Sequence, residues 1–138
     1  MPFVNVYYPK GLLKKEEELK KVSNSIHYSL IEHFEIPEND YFQMFFPYSS
    51  NHFFYDSDYL LEGEEKRTEN MMHVSITCGP GRTINQKKRL YKSISKAISN
   101  HLNISTTDIF IILNETSAEN WSFGQGVVQL VNMKERKE

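Results

Sequence analysis

At 138 residues, 39% hydrophobic and 25% charged, the chain has the composition of one soluble domain with a modest core. A net charge of −2 leaves no electrostatic footprint for nucleic acid or an anionic membrane, and a lone cysteine, Cys78, excludes an internal disulfide. No apolar run approaches the ~18 residues a membrane span needs and no basic-then-apolar leader is present, so the expected location is the cytoplasm.

The first element is FVNVYY (3–8), where Val4, Val6 and Tyr8 alternate with Phe3, Asn5 and Tyr7 as in a half-buried strand. Proline is an unusual residue to place before such a strand. If the initiator Met is removed, however, Pro2 carries a free secondary amine. Leu19, Val22, Ile26, Leu30 and Phe34 then recur at steps of three and four, the pattern of an amphipathic helix. After the breaker IPEND comes a second strand, YFQMFF (41–46).

A connection of about two dozen residues follows (47–69), rich in aromatic residues at 41–59 and long enough to suggest a subunit contact or a lid. MMHVSITC (71–78) alternates again. Thr83 and Gln86 are spaced as a capping box, and Leu90, Ile94, Ala97, Ile98 and Leu102 stripe a second helix. IFIIL (109–113) reads as a further strand. WSFGQGVVQLV (121–131) reads as a turn with a short extra strand, and KERKE as a solvated tail.

One gapless shift of 68 residues superposes the two halves: Val4 on Met72, Val6 on Val74, Ile26 on Ile94, Leu30 on Ile98, Ile36 on Ile104 and Asp40 on Asp108. The expected fold is therefore α+β, a single domain over 1–138 made of tandem β-α-β units at about 2–46 and 70–114, with right-handed crossovers. A C-terminal turn and strand occupy 115–131.

Pro2 directly after Met, the doubled β-α-β, GRTINQKKRLY (81–91), YDSDYL (55–60) and NWSFGQG (120–126) together resemble the tautomerase superfamily, in its malonate semialdehyde decarboxylase-like branch. The resemblance spans about residues 2–130. It implies a four-stranded mixed sheet with two helices on one face, a homotrimer, a small keto/enol or unsaturated carboxylate substrate, and no cofactor or metal. It also implies that Pro2 is the catalytic amine. In the family arrangement the two first strands pair antiparallel at the sheet centre, which brings Pro2 near the CGPGR loop and Arg82, with Asp40 at the same sheet end.

The chemistry asks for these residue types. Proton transfer beside a carbonyl needs a base whose pKa lies near working pH, and a dry pocket with a nearby cation lowers that of an amine. Arg82, just ahead of the capped helix, is expected to grip a substrate carboxylate. Asp40 is expected to orient a water or the amine, and Trp121 with Phe123 to wall the pocket, from the same chain or a neighbouring subunit. The histidines show no metal-ligand spacing. The decarboxylase pattern has two arginines in this loop, whereas here Pro80 stands in place of the first. That favours tautomerisation over decarboxylation, and a decarboxylase or hydratase acting on a small 3-oxo or 3-halo acid is the runner-up. A trimeric binding module without catalysis is the third reading.

Overall fold

A computed structural model describes residues 1–131; the KERKE tail lies outside them. The order is β1 (Phe3–Pro9), α1 (Glu16–Phe34), β2 (Gln43–Tyr48), β3 (Met72–Cys78), α2 (Ile84–Leu102) and β4 (Ile109–Glu115), with short 3-10 turns between. The sheet runs β2-β1-β3-β4. β1 pairs parallel with β2, β3 parallel with β4, and β1 antiparallel with β3. The expected four-stranded mixed sheet with two helices is present.

Alternation decides the faces. Val4, Val6, Met72, Val74 and Ile76 are fully buried beneath the helices. They meet Val22, Ile26 and Leu30 of α1 and Leu90, Ile94 and Ile98 of α2, the residues with helical spacing. Each such burial contributes about 1.5–3 kcal/mol. The helices also touch through a Ser29–Ser93 hydroxyl pair at 2.8 Å.

Duplication extends to fine detail. Both helices are 19 residues long, and both end on a left-handed residue, Glu35 (φ 55°) and Asn103 (φ 54°), 68 positions apart. The starts differ: Thr83 and Gln86 form a reciprocal capping box, whereas Lys15 offers α1 no side-chain cap. On the open face, four rings from four strands stand in register as Phe46–Tyr7–His73–Phe110, with centroids 5.0, 5.6 and 5.8 Å apart. Phe110 is itself exposed, as are Met44 and Ile112 on the outer strands.

Three expectations are corrected. β2 begins at Gln43 and not at Tyr41, because the turn after α1 continues through Asp40, whose amide donates to the Pro37 carbonyl at 3.0 Å. β4 continues two residues past Leu113, still paired with Thr77 and Cys78. The extra strand expected within 121–131 is not among the described strands. Gly124, Gln125 and Gly126 all take positive φ, and the Gln129 side chain folds back onto the Phe123 amide and the Gly124 carbonyl, both at 2.9 Å. That consecutive left-handed run curls the chain into a turn.

Candidate active site

The site is built at one end of the sheet by four strand termini. β1 and β2 begin there, while β3 and β4 end there: Phe3 lies opposite Thr77, Val4 beside Gln43, and Cys78 beside Glu115. Pro2 is buried at the head of β1. Helix α1 delivers its C-terminus to this end and α2 its N-terminus, since the Gln86 side chain donates to the His33 carbonyl at 3.3 Å.

Asp40 receives the chain's amino group, here that of Met1, on Oδ2. Its side chain is 14% exposed, and its other oxygen, Oδ1, is buried with no hydrogen-bond partner among the described residues. The Met1 side chain lies over Gly79, so close that a β-carbon at Gly79 would collide with its methyl group.

Arg82 reaches across from the loop before α2. Its Nη2 donates to the Phe34 carbonyl at 3.0 Å and its Nη1 to Gly79 at a long 3.4 Å, with the guanidinium 5.0 Å above the Phe34 ring. A cation at the carbonyl end of α1 is favourable to the helix dipole, so the residue ties the two repeat units together. That structural role sits beside the expected carboxylate grip.

Trp121 and Phe123 stack at 5.5 Å, and Phe123 meets Phe42 at 5.9 Å within the same chain. The Thr116 amide donates to the Cys78 carbonyl at 2.9 Å, next to β4. The segment 116–123 therefore starts at one side of the sheet end and reaches the other. With this strand order it must pass the start of β1. The indole Nε1 of Trp121 is buried without a partner among the described residues.

Sequence reasoning missed several contributors. Lys87, the lysine of the GRTINQK stretch, bonds Glu115 at 2.7 Å. The Lys87 hydrogen bond, then the Gly81 amide and the Arg82 charge, hold the Glu115 carboxyl below its ordinary range, and Glu115 in turn raises Lys87. Burial pushes the Cys78 thiol up, against the pull of Arg82, the chain's amine and Lys87. His27 is buried on α1; its Nε2–H donates to the Glu38 carbonyl at 2.7 Å and its ring lies 4.1 Å from that of Tyr41. It thus holds the turn that presents Asp40. The spacing of His27 along α1 gave no signal for this.

The 47–70 connection lies at the opposite sheet end, where β2 finishes and β3 starts. Asp108, the repeat mate of Asp40, is buried and accepts from the Thr68 amide and hydroxyl, both at 2.7 Å. At the one end this position grips the chain's amine, and at the other it anchors the connection. A cavity of about 550 Å³ at that far end includes Lys10, Lys14, Glu18 and Asn70 in its lining. Among the described residues no helix is long and apolar enough to cross a membrane.

Comparisons with known proteins converge on one group. The sequence profile of the family described as "Tautomerase enzyme" matches residues 40–124. The chain is 40% identical over 131 residues to the probable tautomerase YusQ of Bacillus subtilis (strain 168), covering 95% of this chain and 99% of the relative. In structure it is similar to FG41 malonate semialdehyde decarboxylase inhibited by 3-bromopropiolate (TM-score 0.83, 22% identity, 96% of each chain). It is also similar to a fused 4-OT that forms a symmetric trimer (TM-score 0.70, 17% identity, 91% of this chain and 94% of that one).

Proposed function

The chain belongs to the tautomerase family, and from that premise we propose that it is a cofactor-independent tautomerase moving a proton between the keto and enol forms of a small 2-oxo carboxylate. The observation that supports this reading is the amino group held by Asp40 at the sheet end where Pro2 heads β1 and Arg82 reaches across from the loop before α2.

Removal of Met1 would turn the buried nitrogen of Pro2 into a secondary amine and free the space over Gly79 for substrate. The substrate carboxylate binds the donors of Arg82 left over from Phe34 and Gly79. Pro2 takes the enol proton and returns it to carbon, or the reverse. Trp121 and Phe123 keep water away, and the unpartnered indole N–H is available to a substrate oxygen. The ring row Phe46–Tyr7–His73–Phe110 offers an apolar face on which three copies would assemble, and the similar fused 4-OT is a symmetric trimer.

One observation favours a second reading, hydration of an unsaturated or 3-oxo acid. Asp40 Oδ1 is buried without a partner among the described residues, poised to accept a proton from water. Decarboxylation is less well served, since the loop offers Arg82 but has Pro80 two residues earlier.

The test is ketonisation of phenylenolpyruvate by protein whose amino-terminal mass shows Met1 gone. Pro2→Ala should lower kcat/KM by a factor of about 100 or more. Undiminished turnover in that variant removes Pro2 from the mechanism.

A further inference from the structure

Resting on the reading of Pro2 as the working amine, we infer that the Lys87–Glu115 pair is a positioning element of this site: Glu115, two strands from Pro2 at the same sheet end, holds Lys87 there as a second cation besides Arg82. Neither residue need touch substrate.

Three observations carry the inference. The first is geometry. Glu115 ends β4 next to Cys78 in register and binds Lys87 at 2.7 Å, and the end of β3 lies in turn beside the start of β1. The second is the charge field. Cys78, the neighbour of Pro2 across the sheet, feels Arg82, the chain's amine, Glu115 and Lys87 together.

The third is an internal control supplied by the duplication. The far end of the sheet has the same backbone plan, and there the mates of Lys87 and Glu115 are Leu19 and Pro47. The fold therefore makes this corner without any ion pair. The pair occurs at the end that carries the amine, which points to the site as its purpose and not the scaffold.

The groups that face this end are Asp40 and, behind its turn, Tyr41 before β2, Cys78 from β3, Arg82 from the loop, Lys87 and Tyr91 from α2, and Glu115 from β4, while α1 contributes Phe34 and, against the Asp40 turn, His27. Removing Glu115's charge leaves two cations uncompensated and disfavours a protonated amine. Removing Lys87's charge does the reverse.

The experiment prepares the protein with Pro2 as its first residue, labels proline with nitrogen-15, and titrates the amine directly by NMR. Glu115→Gln should lower its pKa and Lys87→Met should raise it, each by about 0.3–0.8 pH units given partial solvent screening. The double variant should return near the wild-type value, Lys87→Arg should hold it, and Lys14→Met at the far end should leave it unmoved. Shifts of the same sign in both single variants would mean only that the loop has loosened, and would overturn the inference; so would no shift in either. Because the readout is the amine and not turnover, it stands apart from failure of the proposed activity, which would appear as absent ketonisation with these shifts intact.

Discussion

Replacing Asp40 by Asn removes one charge while keeping the side chain's shape, and the structure sets the size of the effect. The carboxylate touches the chain's amino group and is 14% exposed. Two unit charges ~4 Å apart attract by about 1 kcal/mol in a water-like medium and about 4 kcal/mol at an effective dielectric of ~20. A mostly buried acid against a residue whose side chain is 28% exposed falls between these limits, at about 2 kcal/mol. The carboxylate favours the protonated amine, so its loss favours the free base. In processed protein the acid limb of kcat/KM for phenylenolpyruvate ketonisation should therefore move to lower pH in Asp40→Asn, with the plateau kept within about tenfold. Hydration of an unsaturated acid, if present, should instead drop at least ~100-fold, because that reaction needs Asp40 as a base. A pH–rate profile for each reaction measures both. An acid limb that stays in place or moves up would refute the reasoning, because it would mean that Asp40 does not face the amine once Met1 is gone.

Further outcomes follow from particular contacts. Ile94 is fully buried between α1, α2 and the sheet, so Ile94→Ala should cost about 2–5 kcal/mol in a denaturant melt. Asp108→Ala removes the carboxylate that holds the Thr68 amide and hydroxyl; it should cost about 2–3 kcal/mol and speed proteolytic cleavage within 57–67, with little change at the Pro2 end. Glu115 has its folded-state pKa depressed by Lys87, so the stability it contributes is complete above the ordinary glutamate range near 4.5 and is lost as pH falls through the lower folded value. Thermal melts from pH 6 to pH 3 should accordingly fall less steeply in Glu115→Gln than in the parent.

Much of the architecture was legible from local pattern. Alternation marks a strand because successive side chains point to opposite faces, and steps of three and four mark a helix because they return to one side. The gapless shift of 68 then needed only strand order to bring Pro2, Asp40 and the Arg82 loop to one sheet end. The extra strand failed on backbone conformation: hydrophobic residues at 127–131 look like a strand, but the left-handed run at 124–126 turns the chain first.

What the sequence determined by itself was the duplicated frame, since it follows from periodicity and chain direction; the antiparallel pairing of β1 with β3, which sets Pro2, Asp40 and the Arg82 loop at one sheet end, came with the family resemblance. Only the tertiary structure decided the partners. Arg82 rests on a carbonyl 48 positions away, Lys87 finds Glu115 28 positions away, His27 supports the Asp40 turn through Glu38, and Phe123 meets Phe42 of its own chain. Such pairings depend on how far side chains reach once helices and strands have docked, a distance that no spacing along the chain encodes.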